Sequence, residues 1–238
     1  MSNVKKEQKP PVITTYMERG VHSAMKKYFC PDESCHEKKV GSYVADAFDG
    51  KTIFEIQTGS FSLLRKKIQY YLENTNFDVV IVHPLAQNRK IIWIDKESGD
   101  VALKPRLSSK HETLVSSLPQ IFYLKEFLGH PRLSFCFPML EVSEVRLLDG
   151  YGKDKKKRST SLDRIAGELF AVHYINSVDD IKNFVCPLLP SAPFSRAELS
   201  KALKLNGRKL WAAQNLLTSV NILSVQTQGR KFVFEVKS

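Results

Sequence analysis

Two carboxylates in the first quarter of the chain have the residue types and the spacing of a metal site. Asp46 and Glu55 lie on either side of a tight-turn pair, Asp49 and Gly50. Two carboxylates brought side by side repel each other unless a cation lies between them. Carboxylate oxygens are the ligands that Mg²⁺ prefers, and Mg²⁺ also takes phosphate oxygens. We therefore expect Asp46 and Glu55 to hold Mg²⁺, or Mn²⁺ in its place.

These side chains depend on a hairpin and a helix for their positions. Side chains alternate along a strand, so Glu55 and Gln57 project from one face of the second strand of the hairpin. The short turn sets Asp46 beside Glu55. A preceding helix that ends near Phe29 carries Glu18, which can face the strand carboxylates and assist in holding the metal.

The apolar pattern alternates between helical and strand periods over most of the chain. The predicted elements are a flexible leader over residues 1–15, a helix up to Phe29, strands over residues 43–48 and 52–58, a helix over 61–72, strands over 77–82 and 91–94, a helix over 119–128, and one or two strands over 133–148. This order describes an α/β fold with a mixed sheet flanked by helices. We expect residues 161–189 to be helical.

The charge balance favours a polyanionic partner. Lys and Arg number 36 against 25 Asp and Glu, which gives a formal net charge of +11. Nucleic acid is the expected partner, because lysine and arginine bind its phosphates. No apolar run approaches the roughly 18 residues needed to cross a bilayer, and no secretory signal begins the chain. We expect a cytoplasmic protein that does not bind membranes.

A basic protein with a small acidic cluster has what phosphodiester cleavage requires, and here the pattern matches a family. The order of Glu18, Asp46, Glu55 and Gln57 along helix, strand and strand resembles the PD-(D/E)XK, or restriction endonuclease-like, nuclease superfamily. The resemblance covers about residues 16–95. It implies a restriction endonuclease-like fold and a Mg²⁺-dependent deoxyribonuclease whose catalytic residues are these four side chains. Many members dimerise to cut both strands, so the resemblance also allows a homodimer.

The chain departs from this family pattern at one catalytic position. Gln57 stands where the superfamily usually has lysine, and no proline precedes Asp46. A glutamine amide can orient a water molecule or the scissile phosphate, but it supplies no positive charge. Lys26, Lys51 and Lys66 are alternative sources of that charge, and the sequence does not choose among them.

The end of the chain has its own pattern. Ser195 and Glu198 form a capping box that begins one helix, a second helix covers about residues 208–220, and a hairpin turns at Gln228 and Gly229. Helix, turn, helix and hairpin is the order of a winged helix. The second helix is expected to pack its apolar face inward, which places Arg208, Ala212, Asn215 and Ser219 on the opposite side.

Cations and amides on these elements are the expected contacts with nucleic acid. Arginine and asparagine can bind base edges, and cations at a wing tip can bind phosphates. The predicted contact residues are Arg65, Lys66, Arg208, Asn215, Arg230 and Lys231.

The sequence thus predicts two domains and leaves three functions open. Residues 16–160 form the nuclease-like domain, and residues 161–238 form a helical linker and a small winged-helix domain. The leading hypothesis is a metal-dependent nuclease that acts on DNA. The alternatives are a catalytically inactive DNA-binding or regulatory protein on the same scaffold, and a protein-interaction adaptor.

Overall fold

A large mixed sheet lies at the centre of the computed structural model, which describes residues 20–149, 159–228 and 231–237. Its strands are β1 (His36–Val40), β2 (Tyr43–Phe48), β3 (Thr52–Ile56), β4 (Asp78–Val82), β5 (Leu85–Asp95), β6 (Val101–Leu107), β7 (Leu133–Leu148) and β8 (Thr160–Ile175). The helices are α1 (Gly20–Phe29), α2 (Arg65–Asn74), α3 (Leu118–Ile121), α4 (Val178–Val185), α5 (Arg196–Leu203) and α6 (Gly207–Ser219). A second, smaller sheet contains β9 (Phe194–Ser195), β10 (Leu223–Gln228) and β11 (Lys231–Val236).

The long strand β7 organises the large sheet. Strands β1, β2 and β3 are antiparallel neighbours, and β3 pairs with β4 in parallel. Both β4 and β5 then pair in parallel with the same edge of β7, one after the other, while β8 pairs antiparallel along the opposite edge. Strand β6 pairs with the outer edge of β5. The sheet therefore continues beyond the carboxyl end of β3 as four strands, β6, β5, β7 and β8, which we call the sheet extension.

Helices cover the two faces of the sheet. On one face α2 and α3 pack against a core that contains Ile53 and Ile81. On the other face α1 packs its buried residues Val21 and Met25 against the smaller core around Val82. The strand β4 is apolar throughout its second half because it is buried on both faces, as is usual for a strand inside a parallel sheet. The α/β class with a mixed sheet flanked by helices, predicted from the sequence, is confirmed.

Two predictions about the middle of the chain need correction or refinement. The helix predicted over residues 161–189 is wrong for most of its length, because β8 occupies residues 160–175 and only α4 is helical beyond it. Long-range pairing with β7 overrides the local helix-forming residues there. Residues 133–148 form one strand that passes through Pro138 without interruption.

The C-terminal elements follow the predicted order of two helices and a hairpin. The Ser195 backbone N–H donates to Glu198 Oε2 at 2.8 Å, which is half of the predicted capping box at the start of α5. The same hydrophobic core runs from the large sheet into this unit and ends at Phe234. Trp211 on α6 is partly exposed and packs edge-to-face against Phe122, with ring centroids 5.1 Å apart.

The boundary predicted at residue 160 falls just where β8 begins, and β8 belongs to the large sheet. The division into two domains therefore stays a prediction, with the first sheet reaching Ile175. The described helices are all too short or too polar to span a bilayer.

Candidate active site

The Asp46 side chain accepts a backbone hydrogen bond from β3 at the point where the pairing of β2 with β3 ends. The recorded pairing of the two strands reaches Ala47 opposite Phe54. Beyond that pair, the Ile56 backbone N–H donates to Asp46 Oδ2 at 2.7 Å. His22 on α1 places its Nε2 3.4 Å from the same oxygen. Asp46 is therefore fixed between the end of β3 and the helix that covers this face of the sheet.

These contacts keep Asp46 ionised. Burial raises the pKa of its carboxyl group, but the hydrogen bonds from His22 and from the Ile56 amide outweigh burial and lower the pKa below its usual value. Lys67 contributes in the same direction through its positive charge. An ionised carboxylate with a partly exposed side chain is suited to binding a cation.

Glu55 lies inside the protein, on the face of β3 that α2 covers. It is 2% exposed. Lys67 Nζ lies 2.6 Å from Glu55 Oε2, and the Tyr71 hydroxyl donates to Glu55 Oε1 at 3.3 Å. Lys67 and Tyr71 are four residues apart on α2, so both project from the same side of the helix toward the carboxylate. Strand and helix together enclose a buried ion pair with an added hydrogen bond.

Burial has the largest effect on the pKa of Glu55. Loss of solvent raises the pKa of Glu55 to about 7, and the neighbouring charge of Asp46 adds to the rise, although Lys67 opposes it. Burial and the same carboxylate also raise the pKa of Tyr71 above its usual value, so the phenol remains a hydrogen-bond donor. A carboxylate that titrates near neutral pH beside a second, ionised one is typical of functional sites.

The donor chemistry of the pair fits a divalent cation. Asp46 and Glu55 interact electrostatically, and both offer the oxygen ligands that Mg²⁺ takes. Among the described residues, no group of three or more metal-ligating side chains comes together. Mg²⁺ usually keeps several waters and needs only one or two carboxylates. Glu18, the predicted third ligand, lies outside the described residues.

Gln57 is tied into the turn that follows β3. Its side-chain Oε1 accepts a hydrogen bond from the Gly59 N–H at 3.0 Å. Its backbone N–H donates to Val82 O at 2.8 Å, and its carbonyl oxygen contacts His83 Nδ1 closely. The ammonium group beside Glu55 comes from Lys67 on α2, and not from position 57, which follows β3.

The sequence analysis missed three side chains that contact Asp46 or Glu55, namely Lys67, Tyr71 and His22. A spacing signal exists for two of them, because Lys67 and Tyr71 stand four apart on the helix that follows the Glu55 strand. The sequence alone does not show which side of α2 faces the sheet. The Lys67 side chain is 18% exposed, so it does not belong to a solvated helix face.

The predicted nucleic-acid contacts are dispersed. Lys66 and Arg208 are exposed, whereas Arg65 pairs with Glu126 through a 2.6 Å contact. Asn215 donates from Nδ2 to the Trp211 carbonyl oxygen at 2.8 Å. Arg230 and the side chain of Lys231 lie outside the described part of the protein.

One residue predicted for the outer side of α6 is misplaced. Ala212 is buried and only 1% exposed, while Arg208 and Ser219 are exposed as expected. The helix packs against α3 as well as against its own hairpin, so its apolar surface is wider than a single stripe.

Comparison with known proteins places the large sheet within a family. A family model described as "Domain of unknown function (DUF8091)" matches residues 19–176, from α1 to the end of β8. The chain belongs to this family. An uncharacterized protein of Treponema pallidum (strain Nichols) is 26% identical over 183 residues, which cover 76% of this chain and 70% of that protein. No solved structure matches the chain. The DUF8091 region contains Asp46, Glu55 and Lys67.

Proposed function

We propose that this DUF8091 protein is a metal-dependent nuclease that cleaves DNA phosphodiester bonds. The observation that carries the proposal is the buried Glu55–Lys67 ion pair beside the ionised Asp46. Two carboxylates and an ammonium group at the end of a strand have the charges needed to bind a metal and a phosphate together. The order of these residues resembles that of the PD-(D/E)XK superfamily, which adds support from the sequence.

Each side chain has a distinct part in the proposed reaction. Asp46 and Glu55 would hold Mg²⁺, or Mn²⁺, and Glu18 is the proposed third ligand. The chemistry that such an ion would supply at these residues is activation of a water molecule and stabilisation of the leaving oxygen. Lys67 provides the positive charge that Gln57 cannot supply and orients the attacking water through its ammonium group. Tyr71 holds the orientation of Glu55 by donating to its second oxygen.

The net charge of +11 supports a nucleic-acid partner. We propose that α5, α6 and the β10–β11 hairpin act as a winged helix that assists DNA binding. The exposed Arg208 at the start of α6 and Lys66 on α2 are available for phosphate contacts. Binding that depends on such contacts weakens steeply as the salt concentration rises.

Cleavage of plasmid and oligonucleotide DNA with Mg²⁺ or Mn²⁺, against an EDTA control, tests this function. We expect metal-dependent cutting by the wild type and a loss of at least about a hundredfold in Asp46→Asn and Glu55→Gln. Glu73→Gln is the matched control. Glu73 is an exposed carboxylate on the same helix, α2, and it accepts a hydrogen bond from the Gln69 side chain. Undiminished cutting by both site variants would show that the site assignment is wrong.

A catalytically inactive DNA-binding protein on the same scaffold is the second candidate. Two observations favour it: both oxygens of Glu55 already have protein partners, and Gln57 stands in place of the usual lysine. This candidate predicts salt-dependent DNA binding in a gel shift and no metal-dependent product. A protein that neither cut nor bound DNA would point to the adaptor hypothesis.

A further inference from the structure

A basic cleft of about 560 Å³ opens on the sheet extension. It lies on the same face of the sheet as α1. Arg89 is paired with Val142, whose side chain belongs to the core under α1, and paired residues point to the same face. The other cleft residues of β5 and β7 follow at alternate positions, so they share this face. The described charged lining of the cleft comprises Arg89, Arg106, Lys110, Arg146 and Glu144. Cations therefore exceed carboxylates in the described part of this lining.

The arginines of the cleft are held in place by other side chains. Glu144 is 8% exposed, and its Oε1 accepts from Arg146 Nε at 3.0 Å and from Nη2 at 2.7 Å. Arg89 Nη1 lies 3.8 Å from the other oxygen of Glu144. The Arg106 guanidinium stands 5.2 Å from the ring centroid of Trp93. Such fixed cations lose little entropy when they bind an anion.

Within the described residues, two buried polar atoms of this cleft have no hydrogen-bond partner. They are Arg89 Nε and Ser159 Oγ. Ser159 is 6% exposed, and both residues line the cleft. Buried polar groups are normally paired, so unpaired atoms of this kind indicate a bound water or ion in the cleft. Phosphate oxygens accept from N–H groups and from hydroxyls, and the surrounding cations favour the charge of a phosphate.

The cleft lies on the same face of the sheet as the contact between His22 and Asp46, whereas Glu55 meets Lys67 on the α2 face. Arg164 and Ser161 of β8 pair with Glu144 and Arg146, and they line an adjoining hollow that also contains His22. His22 contacts Asp46. Along the strand direction, the cleft begins about 20 Å beyond the end of β3, which is a distance that a few nucleotides span.

We propose that this cleft binds a backbone phosphate of the nucleic acid strand whose scissile phosphate lies at Asp46 and Glu55. The inference rests on the proposed function. It assigns Ser159, Arg89, Arg106 and Lys110 to binding at a distance from the bond that is cut. The strand then follows the α1 face, past the hollow beside His22.

Fluorescence anisotropy with a labelled DNA oligonucleotide in EDTA tests the cleft without cleavage. Ser159→Ala removes a hydroxyl that has no hydrogen-bond partner in the described part of the protein, and we expect binding about tenfold weaker. Lys110→Gln should lower the slope of log affinity against log salt by about 1. Lys90→Gln is the matched control, since Lys90 neighbours Arg89 on β5 and projects from the opposite face. Lys90→Gln should leave both the affinity and the slope unchanged.

Wild-type binding by both Ser159→Ala and Lys110→Gln would overturn the proposal. A second arm adds pyrophosphate alone and follows the melting temperature. If pyrophosphate stabilises the wild type but not Ser159→Ala, while DNA binds all variants equally, the cleft serves a small phosphate ligand and the proposal fails. Cleavage is assayed separately. If the wild type cuts no DNA but the cleft variants bind DNA more weakly, the cleft assignment stands and the nuclease proposal is wrong.

Discussion

At the residue scale, the pairing of Glu55 with Lys67 explains how two carboxylates coexist at the end of a strand. Glu55 is almost fully buried, and an unpaired charge there would be strongly unfavourable. The Lys67 ammonium offsets that cost by pairing with Glu55. Asp46 Oδ2 has other partners, namely His22 and the Ile56 backbone amide. The two acids therefore have different surroundings and different protonation behaviour.

This difference predicts how stability depends on pH. The pKa of Glu55 rises from 4.5 to about 7 in the folded protein. Between these values the folded state binds more protons than the unfolded state, so the free energy of unfolding falls as pH rises. We expect the wild type to lose up to about 1.4 kcal/mol per pH unit relative to Glu55→Gln across this window. Urea unfolding of both proteins from pH 4 to pH 8 measures the difference; a constant difference would contradict the raised pKa.

The sequence predicted the neighbourhood of Asp46 and Glu55 but not their partners. The turn pair Asp49 and Gly50 fixes the hairpin locally, so the antiparallel pairing of β2 and β3 follows from short-range rules. The choice of Lys67 depends on how α2 rotates as it packs on the sheet. The tertiary contacts of Ile68 and Leu72 set the rotation of α2 about its axis. The spacing of residues along the sequence does not predict this rotation.

At the element scale, the turn between β1 and β2 fixes the edge of the sheet to α2. Gly41 has a φ of +59°, and a Cβ there would collide with the Tyr70 side chain. The next residue, Ser42, donates its backbone N–H to the Tyr70 hydroxyl at 3.2 Å. Tyr70 lies on the helix that carries Lys67, so this turn helps to fix the helix that completes the site.

Substitution of this glycine should be costly. We expect Gly41→Ala to lower the free energy of unfolding by about 2–4 kcal/mol, because it adds a steric clash to the left-handed backbone strain. Gly50→Ala is the matched control. Gly50 also has a positive φ, of +95°, but a Cβ there meets nothing within 4 Å, so only the strain of about 1 kcal/mol is expected. Equal urea midpoints for the two variants would contradict the close packing of the turn.

The elements that short-range patterns predict well are those with local signals. The capping box of Ser195 and Glu198 begins α5 as expected. Strand β8 has no such signal, because residues such as Ala166 and Glu168 favour helices and only pairing with β7 makes the segment extended. The edge strands β1 and β6 are polar or fully exposed, and β6 contains Pro105, which edge strands tolerate.

At the scale of the whole molecule, the α1 face of the sheet holds the contact of His22 with Asp46 and the basic cleft, whereas Lys67 meets Glu55 on the α2 face. The α1 helix, the hollow beside His22 and the basic cleft follow one another on the α1 face. The C-terminal unit packs on the other side, where α6 contacts α3 and shares the larger core. The DUF8091 match spans the α1 face and ends just after β8.

We propose that Lys67 supplies the catalytic positive charge that Gln57 cannot provide, and moving this charge between the two positions tests its role. Initial rates of Mg²⁺-dependent oligonucleotide cleavage are compared for the wild type, Lys67→Gln, and Lys67→Gln combined with Gln57→Lys. Lys66→Gln serves as the control from the exposed side of α2. We predict a loss of at least about a hundredfold in Lys67→Gln, partial recovery in the double variant, and a wild-type rate in the control. A wild-type rate in Lys67→Gln would contradict the account.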